Sequence, residues 1–239
     1  MVSTVHYQGN SDDDRVDCIL FDLDGTLIDT TDLIFTSYRH ALTAVLGQTA
    51  SLDELFLGYG RPLAESFGAI LANRQIQLPQ GEHQALLARL IVAYREFNVA
   101  NHDALAREFP GVRTTLDELA RRGYALGLVT SKAREMAERG VRLAGLAGQF
   151  RVMVFLEDTE RHKPHPDPLW FALDRLDRRQ TPRRSMYVGD SVHDLRAGRT
   201  AGVRTAGALW GPFPRESLAA EEPDYLLASS AELLDIFKA

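Results

Sequence analysis

The sequence predicts an α/β fold with a central parallel sheet. Two observations lead there: short apolar runs recur along most of the chain, and segments with helical apolar spacing alternate with them. A third observation adds a domain. Residues 30–107 carry helical patterns without strand-like runs, which predicts a helical insertion between the first and second strands of the sheet.

The first run, VDCILF at 16–21, ends at Asp22 and reads as a buried strand. Others follow at 124–130 (YALGLVT), 151–155 (RVMVF), 184–190 (RSMYVGD), 203–209 (VRTAGAL) and 224–227 (DYLL). Between them, Val112, Leu116 and Leu119 share a helical face that stops at Gly123, and Leu169, Leu173 and Leu176 share another. Alternation of this kind covers both faces of a parallel sheet and places ligands outside the carboxyl ends of its strands.

Within the insertion, Leu33, Ile34, Ala41, Leu42 and Val45 mark one helix. Ser51 and Glu54 form a capping box for the next, and Pro62 suits a helix start. From Glu82 to Phe97, the positions Leu86, Leu87, Leu90, Ile91 and Tyr94 mark a longer helix. The expected organisation is a leader at 1–15, a core at 16–29 and 108–239, and a helical domain at 30–107.

Composition narrows the function. With 45% hydrophobic and 25% charged residues, the 239-residue chain is an ordinary globular one. A net charge of −6 without a dense Lys/Arg block argues against a nucleic-acid binder. The single cysteine, Cys18, excludes an internal disulfide and suits a reducing cytoplasm. Neither a signal-peptide core nor an apolar run of membrane-spanning length is evident.

The chemically loaded residues fall at four predicted strand ends. In FDLDGTL, Asp22 and Asp24 lie two apart in an extended segment, so their carboxylates are expected on one side, and Gly25 and Thr26 offer a turn whose N–H groups approach an anion. Asp22 suits a nucleophile that forms an aspartyl-phosphate, and Asp24 a general acid and base; an acidic turn after a strand is the ordinary alternative. In GLVTSK, Thr130 and Ser131 suit a phosphate oxygen or a simple helix cap. In HKPHPDP, prolines restrict Lys163, a cation able to neutralise both nucleophile and phosphoryl group, or else a solvated surface lysine. In YVGDSVHD, Asp190, with Asp22, supplies the hard oxygens that Mg²⁺ prefers, and Asp194 follows one turn later on the same side; acids that stabilise a helix N-terminus are the alternative.

In this order and placement the four motifs resemble those of the haloacid dehalogenase superfamily of phosphohydrolases, over nearly the whole chain after the leader. The resemblance implies a Rossmann-like core with an inserted helical C1-type cap, a Mg²⁺ cofactor, and metal binding by the Asp22 carboxylate, the Asp24 main-chain carbonyl and Asp190, with Asp194 in support. AYREFNVANHDALAREFPGV and TAGALW are similar to the phosphoglycolate phosphatase group and, more closely, to PpaX-type inorganic pyrophosphatases.

The expected substrate is therefore a small phosphate compound, pyrophosphate first and phosphoglycolate or another phosphomonoester second. A sugar phosphomutase would use the same core, whereas a dehalogenase has no need of Asp24. Arg61, in GYGRPL, is a candidate for binding a second anionic group, or a solvent-facing arginine. The insertion is expected to open and close between steps, with hinges near Asp29–Asp32 and Glu108–Gly111. Oligomeric state is not readable from these patterns.

Overall fold

The structure, a computed structural model, describes residues 15–237. The leader read at 1–15 lies, apart from Arg15, outside the described residues. In chain order the elements begin with β1 (Cys18–Phe21), β2 (Ile28–Asp29), α1 (Thr31–Leu46), α2 (Leu52–Gly58), α3 (Leu63–Asn73), α4 (Gln80–Leu105) and β3 (Arg107–Glu108). They continue with α5 (Val112–Arg121), β4 (Ala125–Val129), α6 (Arg134–Leu143), β5 (Val152–Val154), α7 (Asp167–Arg175), β6 (Ser185–Gly189), α8 (Val192–Ala201), β7 (Arg204–Ala208), α9 (Arg215–Ala219), β8 (Tyr225–Leu227) and α10 (Glu232–Ile236).

Six strands form one parallel sheet in the order β5-β4-β1-β6-β7-β8. β1, β4, β6 and β7 are buried at every position, as expected of strands covered by helices on both faces. The six predicted runs are these six strands, each slightly shorter than its apolar segment. Cys18, Leu20, Tyr187 and Val129 pack against Leu169, Ala172 and Leu173 of α7 and Ala197 and Ala201 of α8. Burial pushes the Cys18 thiol up to about 11, which keeps it an inert core side chain.

Thr30–Ala106 forms one compact unit, and the residues on either side form the other. Inside the first, α1 packs along α4, and the rings of Tyr38, Phe67 and Tyr94 interlock, with Tyr38 5.1 Å from Phe67 and 4.8 Å from Tyr94. The α4 helix extends well past the 82–97 segment read from its apolar residues. Its buried line is Leu86, Leu90, Tyr94, Asn98 and His102, so the last two positions of the stripe are polar and invisible to an apolar count. Asn98 is held by its Nδ2 donating to Ser37 Oγ at 3.2 Å.

One element was absent from the sequence reading. β2 and β3 pair antiparallel, Ile28 with Glu108 and Asp29 with Arg107, where the chain leaves and re-enters the sheet unit. Asp29 and Glu108, expected in hinges, thus sit in a ladder, and Thr31 and Asp32 already belong to α1. Two-residue strands of mixed polarity carry no period from which to be read.

Candidate active site

All four motifs of the sheet unit converge at the carboxyl ends of β1, β4 and β6. The buried strand β1 delivers Asp22, whose backbone N–H donates to Val188 O at 2.9 Å, fixing the carboxylate beside the end of β6. Gly25 turns the chain with φ of 82° and donates to Ile28 O at 2.8 Å. Thr26 Oγ1 then donates to Asp190 Oδ1 at 3.0 Å, so the first and fourth motifs are tied directly.

Lys163 is the hub. It lies in the loop between β5 and α7, only 2% exposed, and its peptide bond to Pro164 is cis. Its ammonium donates to Asp22 Oδ1 at 2.7 Å, Asp194 Oδ1 at 2.6 Å and the Tyr187 hydroxyl at 3.0 Å. The Tyr187 hydroxyl in turn donates to Val129 O at 2.9 Å. The alternative of a solvated surface lysine is thereby excluded.

Asp194 owes its position to a capping box. Ser191 caps α8, its Oγ accepting from Asp194 N at 3.2 Å, while Asp194 Oδ2 accepts from Ser191 N at 3.0 Å and from Ser191 Oγ at 2.6 Å. The reading of Asp194 as an acid that stabilises a helix start thus holds through one oxygen, while the other grips Lys163.

Asp22, Asp190 and Asp194 are buried, and one oxygen from each lies within 4.8 Å of the others. Three carboxylates thus face a single ammonium in a region closed to water. Burial pushes Asp22 up to about 7 despite the pull of Lys163, and Asp194 adds to the rise. Burial also raises Asp190 well above the carboxylate range, reinforced by Asp194 and Asp22. Burial opposes ionisation of Asp194 too, yet the Lys163 charge and the hydrogen bonds from Lys163 and Ser191 hold it below its usual value. For Lys163 the two carboxylates outweigh burial and keep it charged.

The second oxygen of Asp190, Oδ2, is buried with no hydrogen-bond partner. An orphaned carboxylate oxygen inside an over-negative cluster is the donor a divalent cation would satisfy. Gly211 leaves the space: a Cβ there would fall onto the Asp190 side chain and, at 2.8 Å, onto Gly25 O. The residues present therefore fit a hard divalent metal ion.

The two acids of the first motif part company. Asp24 does not join the acidic cluster; its Oδ1 accepts from Lys132 Nζ at 2.7 Å. Thr130 is buried at the end of β4, its Oγ1 accepting from Lys132 N at 3.1 Å, and Ser131 Oγ is buried without a hydrogen-bond partner. Arg61 lies in the other unit, in the turn before α3, with its N–H donating to Gly58 O at 3.4 Å. Sequence reasoning missed Lys132, Tyr187 and Trp210. The indole of Trp210, noted only within TAGALW, donates to Thr26 O at 2.9 Å and braces the turn of the first motif.

Residues 19–208 match the family described as haloacid dehalogenase-like hydrolase. The chain belongs to that family. Among curated relatives of this haloacid dehalogenase-like hydrolase, a protein of Bacillus velezensis named pyrophosphatase PpaX is 40% identical, the match covering 94% of this chain and 97% of the relative. A second pyrophosphatase PpaX, from Anoxybacillus flavithermus, is 38% identical over 93% of this chain and 97% of its own. A crystal structure from Haemophilus somnus, described as a predicted phosphoglycolate phosphatase, superposes with a TM-score of 0.79 at 26% identity, covering 93% of this chain and 98% of that one. The resemblance drawn from the four motifs is thus met at the level of family and fold. Among the described residues, no helix is long and apolar enough to cross a membrane.

Proposed function

We propose that this hydrolase is a Mg²⁺-dependent phosphohydrolase that works through an aspartyl-phosphate at Asp22, with inorganic pyrophosphate as first substrate and phosphoglycolate or another small phosphomonoester as the alternative. The observation that carries the chemistry is the buried contact of Lys163 with Asp22, beside an Asp190 oxygen that has no partner in the protein. Pyrophosphate is favoured by the PpaX relatives, which match this chain nearly end to end. We further assign residues 30–107 as the cap and the cytoplasm as the compartment.

In the first step an Asp22 oxygen attacks phosphorus, the bond from phosphorus to the leaving oxygen breaks, and Asp24 gives that oxygen a proton. In the second, Asp24 takes a proton from water, the water oxygen attacks phosphorus, and the bond to Asp22 breaks, releasing orthophosphate and restoring the carboxylate. Lys163 balances charge on Asp22 and on the phosphoryl oxygens, while the Gly25 and Thr26 turn, Thr130 and the unpartnered Ser131 hydroxyl orient those oxygens. The Asp22 and Asp190 carboxylates and the Asp24 main-chain carbonyl would hold Mg²⁺, with Asp194 in support. When bound there, Mg²⁺ supplies the positive charge that the three carboxylates lack and orients a phosphoryl oxygen.

The test is phosphate release from pyrophosphate, phosphoglycolate, sugar phosphates and nucleotides, with Mg²⁺ and with excess chelator. Chelator-sensitive release, fastest from pyrophosphate, is expected. Preference for another compound overturns the substrate, full activity in chelator overturns the metal, and isomerisation of a sugar phosphate without release overturns hydrolysis in favour of a mutase.

A further inference from the structure

We propose that Lys132 is a positioning residue for the general acid and base Asp24, and that it ties the acid/base side of the site to its phosphate side. The inference rests on the assignment of Asp24 made above.

A lysine in a loop is ordinarily mobile, and the Asp24 side chain sits outside the acidic cluster that fixes its neighbours. Here both ends of Lys132 are fixed. Its backbone N–H donates to Thr130 Oγ1 at 3.1 Å, and its carbonyl accepts from Leu156 N at 3.1 Å, which anchors the loop after β4 to the segment after β5. Its side chain is 13% exposed and reaches back across the end of the sheet to Asp24 Oδ1 at 2.7 Å, while the Asp24 side chain is 16% exposed.

The same residue thus contacts the Thr130 hydroxyl through its backbone and the Asp24 carboxylate through its ammonium. A proton donor must stand within hydrogen-bond reach of the leaving oxygen, so an anchor on its carboxylate matters to the proton transfer and not to phosphate capture. A charged partner also holds a carboxylate with more directional restraint than solvent does.

The consequence is selective. Loss of the anchor harms the step in which a poor leaving group needs a proton, spares transfer from a leaving group that departs as a stable anion, and harms the attack of water in every case.

The experiment compares Lys132→Met, Lys132→Arg and Asp24→Asn with the parent enzyme in Mg²⁺, following 4-nitrophenyl phosphate and glycerol phosphate by rapid mixing and at steady state. Thermal melting checks that each variant is folded. For Lys132→Met, the rate of the 4-nitrophenolate burst is expected to stay within roughly threefold, while steady-state kcat on both substrates falls roughly tenfold or more; on 4-nitrophenyl phosphate KM falls with kcat so that kcat/KM holds, whereas on glycerol phosphate kcat/KM falls. Lys132→Arg is expected to recover most of that loss. A burst that slows with the steady state, or a change in KM alone, overturns the proposal, because the lysine then serves phosphate binding or the fold. Asp24→Asn should give the same split more strongly. If it does and Lys132→Met does not, the positioning role alone is wrong; if Asp24→Asn gives no split, the acid/base assignment fails and the proposal with it.

Discussion

Two capping boxes in this protein are built alike and end up electrically opposite. In the helical unit, Ser51 caps α2, its Oγ accepting from Glu54 N at 3.2 Å, and Glu54 Oε2 accepts from Ser51 N at 2.9 Å. In the sheet unit, Ser191 and Asp194 do the same at α8. Each carboxylate then takes one cation, Arg74 at 2.5 Å for Glu54 and Lys163 at 2.6 Å for Asp194. The difference is what else the cation meets. Arg74 also donates to Thr49 O, and its hydrogen bonds hold Glu54 down to about 2, burial opposing. Lys163 is shared with Asp22, in a cluster that also holds Asp190, and burial leaves Asp22 at about 7. One cation per acid makes a staple. One cation among three acids makes a site that favours added positive charge.

The largest effect follows from that surplus. Asp22→Asn should abolish turnover, by roughly 10⁴-fold or more, because the amide is no nucleophile. In metal-free protein at pH 8 the same change should stabilise the sheet unit by about 2 kcal/mol, because it removes a charge that burial disfavours. Trp170 and Trp210, the two tryptophans of the chain, both lie in that unit, so their fluorescence through a denaturant series reads it separately. A loss of stability would break the comparison.

Removing the cations should hurt both units, but unequally. Lys163→Met leaves two buried carboxylates, Asp22 and Asp194, without their ammonium, for an expected loss of about 3–5 kcal/mol in metal-free protein and of at least roughly 10³-fold in turnover. Arg74→Met leaves one, for about 2 kcal/mol, read by far-ultraviolet circular dichroism.

The pH dependence should have opposite signs. Glu54 has its pKa lowered from 4.5 to about 2 on folding, so its contribution is full above 4.5 and is lost as pH falls towards 2. The stability gap between the parent and Glu54→Gln should close across that window. Asp22 has its pKa raised from 3.8 to about 7, so the folded chain binds more protons and stability falls as pH rises from about 4 to 7. The gain from Asp22→Asn should therefore appear over that range in metal-free protein and vanish when Mg²⁺ is added.

How far these features were legible depended on sequence distance. The buried strands announced themselves as apolar runs, and the Ser51 box was read because its two residues stand three apart. Asp22, Lys163 and Asp190 were read from motif order, and the structure gathers them within one cluster. Arg74, twenty residues from Glu54, and Lys132, 108 from Asp24, were not read, since a lone cation in a polar stretch carries no periodicity. Tyr187 was hidden inside an apolar run that it also helps to form, its hydroxyl acting where its ring only packs.

The smallest predicted effect separates the two boxes most sharply. Ser51→Ala and Ser191→Ala each delete one cap and should each cost about 1 kcal/mol. At α2 the consequence should end there, because Glu54 keeps two hydrogen bonds from Arg74. At α8, Asp194 Oδ2 loses the Ser191 hydroxyl at 2.6 Å and keeps only the Ser191 N–H, so the carboxylate that orients Lys163 becomes looser. Turnover in Ser191→Ala should fall by roughly three- to tenfold with KM little changed, since Lys163 would be less well aimed at Asp22. Ser191→Thr, which keeps the hydroxyl, should restore most of it. Equal turnover in the two alanine variants would mean that Asp194 holds Lys163 without help from its cap, and that the two boxes differ only in their neighbours.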